Sequence, residues 1–150
     1  MEKKTVQKTN VLCISLDTTL KSMMNDTGNL PNELVEKAIE LQLEIEGPQI
    51  WVYDGADGNQ ATPFELTIAI PVNKPTGDPG KFRFAEFPEI NCISEIHRGP
   101  WANLGETYHK LMPAIMKQGL TFTGITREVY HICDFENQKN CVTEIQVEVK

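Results

Sequence analysis

Apolar and polar positions change rhythm several times along this chain, and each change marks an element. Val11-Leu-Cys-Ile-Ser-Leu16 is a short apolar run of strand type, and residues 17–29 are polar and loop-like. From Asn29 or Pro31-Asn32 the spacing lengthens. Leu34, Val35, Ile39, Leu41, Leu43 and Ile45 interleave with Glu33, Glu36, Lys37, Glu40 and Glu44, which predicts an amphipathic helix stopped by Gly47-Pro48. Gln49-Ile-Trp-Val-Tyr53 and Phe64 to Val72 read as strands, separated by the turn formers Asp54 to Asn59. Segment 73–81, rich in Pro and Gly, reads as a connector.

The second half repeats this grammar. Phe82 to Phe87 and Ile90 to His97 are strand-like, and Trp101 to Gln118 is a predicted helix closed by Gly119. Pro113 lies inside that helix, so a kink or a displaced first turn is expected around Leu111. Ile125 to Cys133 and Cys141 to Val149 then flank a polar loop at 134–140. Strand, helix, strand, strand is thus stated twice. The expected architecture is α+β: an antiparallel sheet with helices on one side, built from two units related by a pseudo-two-fold axis. The units span about 11–72 and 82–149 of one domain, 1–150, and a central cleft between them is the natural ligand site.

Composition narrows the function classes. The hydrophobic fraction of 40% and charged fraction of 23% are those of a globular protein. No apolar run approaches the roughly 20 residues of a membrane span, and the cationic start leads into no signal-peptide core, so a cytoplasmic location with no membrane partner is expected. A net charge of −7 argues against nucleic acid as a direct partner; it suits a receptor for cations, though a solvated acidic surface is the commoner reason for such a balance. Cys13, Cys92, Cys133 and Cys141 are scattered, without a Cys-x-x-Cys pair. His97, His109 and His131 share no ligand spacing, and neither phosphate loop nor dinucleotide fingerprint is present. No metal or cofactor is expected.

One carboxylate breaks the pattern of the last strand. Thr143, Ile145, Val147 and Val149 form its apolar face, so Glu144 lies on the other face with Val142, Gln146 and Glu148. If that second face looks into the cleft, Glu144 is at its floor, as a cation receptor or an acid/base. The alternative is an exposed strand carboxylate with no task. Trp101, just after Gly99-Pro100, and Tyr108, seven residues further on, fall near one helical face; with Tyr130 they can wall the cleft.

His97-Arg98-Gly99-Pro100-Trp101, Leu104-Gly105-Glu106, Gly119-Leu120, Gly124, Arg127-Glu128-Val129-Tyr130 and Thr143-Glu144-Ile145-Gln146 appear in an order that resembles the GyrI-like small-molecule-binding domain, the effector-binding domain of bacterial multidrug-sensing transcription regulators. The resemblance is closest over 82–149 and looser over 30–72. It implies a central cleft walled by aromatics with a carboxylate at its floor, Glu144 by position, with Trp101 standing where the family usually has tyrosine. No helix-turn-helix occurs within the 150 residues, so a stand-alone form is expected. Three functions follow from the resemblance. The first is a sensor or sequestering module for hydrophobic or cationic aromatic small molecules. The second is a hydrolase of strained, cyclopropane-type electrophiles, with Glu144 as its catalytic group. The third is a gyrase-type inhibitor with a protein partner.

Overall fold

The computed structural model describes residues 1–150. The strands are β1 (Glu2–Val6), β2 (Thr9–Thr18), β3 (Ile50–Asp54), β4 (Phe64–Pro71), β5 (Arg83–Phe87), β6 (Ile90–Arg98), β7 (Phe122–Ile132) and β8 (Val142–Val149). The helices are α1 (Met23–Thr27), α2 (Leu30–Glu40) and α3 (Leu104–Lys117). All strands join one antiparallel sheet in the order β1-β6-β8-β7-β3-β4-β2-β5. Exchanging β1–β4 for β5–β8 and reading from the other edge returns the same order. The halves meet at the β3–β7 seam, and each places its first strand on the far edge of the other half.

Side-chain alternation divides the sheet into two faces. On one, α2 buries Leu34 and Ala38 against a core that includes Leu12, Leu66 and Ile68. On the same side α3 buries Leu111 and Ile115 against Ile93, Ile145 and Val147. Thr143, Ile145, Val147 and Val149 therefore do lie on the helix face, as their pattern predicts. The opposite face carries Val11, Cys13, Ile50, Ala69, Phe87 and Val129. There the Arg127 guanidinium sits 5.1 Å from the Phe87 ring centre and donates to the Pro88 carbonyl at 3.2 Å, pinning the β5–β6 connection to the sheet.

Three elements depart from the sequence pattern. β1 occupies a cationic segment that the hydrophobic spacing leaves unassigned, because its pairing with β6, and not apolar content, holds it. α1 lies in the stretch expected to be loop. Its lead-in is organised by hydroxyls: Thr18 donates to Asp26 at 2.7 Å, while Thr19 and Ser22 are bonded at 2.8 Å. Finally, α2 stops at Glu40, short of Ile45. Gln42 takes a positive φ of 57°, and Leu43 N–H returns to the Ala38 carbonyl while Gln42 N–H returns to Ile39. These are the paired bonds of a Schellman stop. Ile45 is then free to bridge Val72. α3 runs unbroken past Pro113 and ends in the same way, with Gly119 at φ 72°. No helix is long and apolar enough to cross a membrane, and all four cysteines are free.

Glu144 holds β1 in place. It is 5% exposed and on the face away from the helices. Lys4 of β1 forms an ion pair with it, Ser94 donates at 2.7 Å, Gln146 at 3.0 Å, and His131 lies at 2.9 Å. Burial pushes its pKa up, but the hydrogen bonds from Lys4, Gln146, His131 and Ser94 outweigh burial and bring it from 4.5 to about 2. A carboxylate whose pKa is lower folded than unfolded stabilises the fold above its unfolded pKa and loses that contribution as pH falls through the folded value. Glu144→Gln should therefore cost on the order of 2–3 kcal/mol at neutral pH. The gap between wild type and variant should close from pH 4.5 toward pH 2. Urea denaturation at a series of pH values measures this; a gap that persists unchanged at pH 2 would contradict the assignment.

Candidate functional site

The β3–β7 seam is not roofed by either helix, and the gap between α2 and α3 above it is a cavity of about 1560 Å³. That exceeds the roughly 300–1,000 Å³ of ordinary small-ligand pockets. Trp51 and Tyr53 rise from β3, and Thr126, Glu128 and Tyr130 from β7. Their pairing register sets Trp51 beside Glu128 and Tyr53 beside Thr126 on this face. α3 contributes Leu104, Tyr108 and Met112, and α1 with its lead-in contributes Leu20, Met23 and Met24. Trp101 enters from the short 3-10 turn at 101–103, and Phe135 from the β7–β8 loop.

Each wall is set by local chemistry. Gly99 adopts φ 113°, a conformation costly for any residue with a Cβ, and so lets β6 turn sharply into Pro100 and Trp101. His97 locks this turn. Its Nε2–H donates to the Pro100 carbonyl at 2.9 Å, which leaves Nδ1 to accept from the Thr107 hydroxyl at 2.8 Å. Trp101 then meets Phe135 at 5.2 Å between ring centres. Phe135 is 79% exposed and lies at the rim. Gln49 accepts from the Trp51 indole N–H at 3.0 Å and donates to the Pro31 carbonyl at 2.8 Å, and Trp51 stands edge-on to Tyr130 at 5.4 Å.

Glu128 is the carboxylate at the floor. It is 5% exposed. Tyr130 donates to its Oε1 at 2.7 Å and Tyr53 to the same oxygen at 3.1 Å, while Tyr108 donates to Oε2 at 2.6 Å. The chain has three tyrosines, so every phenol it owns serves this one group. None of the protein's ion pairs involves Glu128. The cavity lining includes a second carboxylate, Asp57, and His109 at the surface, but no lysine or arginine. An aromatic receptacle with a carboxylate at its floor results. It can attract a positive group electrostatically and face it with π clouds.

Trp101, Tyr108 and Tyr130 are thus brought together, but Glu144 is not with them. Strand alternation is the reason: Glu144 pairs with Val129 and shares its face, whereas Glu128 pairs with Ile145 on the helix face. The expectation that Glu144 floors the cleft is corrected to Glu128, and Glu144 is the structural carboxylate described above. A signal for Glu128 was present. It lies two residues before Tyr130 on one strand, so a wall at Tyr130 requires Glu128 on the same side. Trp51 and Tyr53 carried no comparable mark, because aromatic residues in a strand more often fill a core.

Burial and then the Glu128 charge raise the pKa of all three phenols well above the usual value, keeping them as donors. With no tyrosine elsewhere, a spectrophotometric titration reads only this cluster. Wild type should show no tyrosinate absorbance through pH 10, then a steep rise at alkaline unfolding; Glu128→Gln should bring ionisation to lower pH. Gradual ionisation near pH 10 in the folded wild type would contradict the geometry.

Known proteins share this arrangement of elements. The chain superimposes on the C-terminal domain of EcmrR with a TM-score of 0.83 at 20% identity, covering 99% of this chain and 96% of that one. In the EcmrR–DNA complex it spans 56% of the longer EcmrR chain, at 22% identity and a TM-score of 0.80. SAV2435 bound to tetraphenylphosphonium matches with a TM-score of 0.66 at 12% identity, over 99% and 93% of the two chains. A hydrolase encoded by lin2189 of Listeria innocua matches at 0.68 and 15%, over 99% and 91%. These likenesses concern the fold. A sequence search of curated proteins gave no match. The GyrI-like small molecule binding domain matches over residues 1–150, and the chain belongs to that family.

Proposed function

We propose that the cleft binds hydrophobic cationic aromatic molecules, with Glu128 as the counter-charge and Trp51, Trp101, Tyr108 and Tyr130 as the surrounding π surface. One observation carries this reading: a carboxylate buried in an aromatic cavity, hydrogen-bonded by three phenols and left without a basic partner. Burying a charge that no cation compensates is expensive. The phenols offset part of that cost, and an incoming cation offsets more. Each desolvated cation–π contact adds about 2 kcal/mol. The tetraphenylphosphonium bound to SAV2435 supports the same ligand class. The volume of the cleft favours broad recognition of ligands with several shapes.

A sensor or a sequestering protein needs binding alone. The hydrolase likeness offers a second outcome for the same cleft, with Glu128 in the position to act on a substrate. Both tryptophans line the cavity, so intrinsic fluorescence reports its occupancy. Tetraphenylphosphonium should quench it saturably, and Glu128→Gln should weaken that binding by about 1–3 kcal/mol. Glu144→Gln should leave the affinity of the folded protein unchanged, and neutral triphenylphosphine oxide should bind wild type and Glu128→Gln alike. Equal phosphonium affinity in wild type and Glu128→Gln would overturn the reading. Mass spectrometry of an electrophilic ligand after incubation separates the outcomes: intact recovery means binding, and loss only with wild type means turnover.

A further inference from the structure

The arrangement around Glu128 says more about the ligand than its charge. A carboxylate offers about four lone-pair positions on its two oxygens. Here Oε1 accepts from Tyr130 and Tyr53, at 2.7 and 3.1 Å, and Oε2 accepts from Tyr108 at 2.6 Å. Three positions are filled before any ligand arrives. One remains, on Oε2. The charge is undiminished, but its capacity to accept further hydrogen bonds is nearly spent.

Cations differ in what they ask of such a group. A primary ammonium carries three N–H donors that water satisfies in bulk, and a buried donor without an acceptor is penalised. In this cleft one donor can reach Oε2. Asp57, the other carboxylate of the lining, is solvent-exposed. Beside Glu128 the other donors would therefore have to use neutral groups, chiefly the phenol oxygens, which are weaker acceptors for a charged donor; two of these phenols already lie 3.2 Å from each other. A quaternary or delocalised cation carries no donor and needs only the field of the carboxylate and the aromatic faces. A tertiary ammonium carries one donor, matching the one position that is free.

We infer that the three phenols make Glu128 a receptor for charge and not for hydrogen bonds, so that the cleft selects cations with at most one N–H donor over primary ammonium ions of the same skeleton. This inference rests on the cation-binding reading above. It assigns Tyr53, Tyr108 and Tyr130 a role in specificity distinct from stacking: each hydroxyl excludes one ligand donor.

The test is a matched series on one skeleton, (biphenyl-4-yl)methyl ammonium as the primary, N,N-dimethyl and N,N,N-trimethyl forms, titrated by intrinsic fluorescence. Added methyl groups raise affinity in any apolar pocket, so the deciding quantity is how the primary-to-quaternary affinity ratio responds to unfilling an acceptor position. Tyr108→Phe keeps the ring and frees Oε2. Tyr130→Phe keeps the ring and opens Oε1, and serves as the second variant. In wild type the tertiary form should bind nearly as well as the quaternary, and the primary form on the order of tenfold or more weaker. In either variant the ratio should move about tenfold toward the primary ion. A ratio identical in wild type and both variants would overturn the inference while leaving cation binding intact. Loss of all cation binding in both variants would also overturn it, because freeing an acceptor must leave the charge in place. Failure of every member to bind wild type, or equal binding to Glu128→Gln, would instead remove the underlying reading.

Discussion

The structure depends on the pairing of β3 with β7. This seam is the only place where the central strands of the two halves are hydrogen-bonded to each other, and its register decides what faces the gap between the helices. Trp51 beside Glu128 and Tyr53 beside Thr126 put side chains from both halves on one floor. A slip of one residue would turn Glu128 and Tyr130 to the other face and bring Arg127 and Val129 into the cleft. The opposite face resists that slip: Val129 packs with Ile50 and Phe87, and Arg127 is stacked on Phe87. The site is thus specified twice, by what lies in it and by what packs beneath it.

Two buried carboxylates, one strand apart, show how a shared residue type takes opposite tasks. Glu144 receives a lysine, a serine, a glutamine and a histidine, and its charge is spent on holding an edge strand. Glu128 receives three phenols and no cation. The first is a closed account of charge within the fold. The second satisfies the hydrogen-bonding needs of the carboxylate but leaves its field pointing into the cavity. Burial alone does not distinguish them, since both are 5% exposed; the chemistry of the partners does.

The elements were legible where backbone and side-chain signals agreed. Gly119 announced the end of α3, because glycine takes the left-handed conformation that a Schellman stop demands. α2 ends in the same motif with Gln42 in that position, and nothing in the sequence distinguishes that glutamine from a helical one. The apolar residues Leu43 and Ile45 continue the helical spacing by coincidence, one capping the core and the other bridging Val72. β1 was invisible for a different reason: its order comes from pairing with β6 and an ion pair with Glu144, both with partners far away in sequence. The site was half legible. Trp101 and Tyr108 could be read from their seven-residue spacing near one helical face, and Tyr130 from its block, but placing the carboxylate required knowing which face of the sheet the helices cover. The apolar alternation of β8 already answered that, since its helix face excludes Glu144.

A cavity that carries a charge must also be stable while empty. Were Glu128 bare, the fold would bear the cost of an uncompensated carboxylate among aromatic side chains and would gain by drawing a lysine inward. Commitment of all three tyrosines lowers that cost, since phenols supply donors without supplying positive charge. The same hydroxyls hold their rings upright around the carboxylate, so the π faces stand in place before a ligand arrives and little side-chain freedom remains to be lost on binding. Satisfying the charge and building the walls are therefore one operation. It explains why aromatic residues cluster here at a density far above the rest of the chain: in this cleft tyrosine is at once solvent, wall and scaffold for a single buried anion.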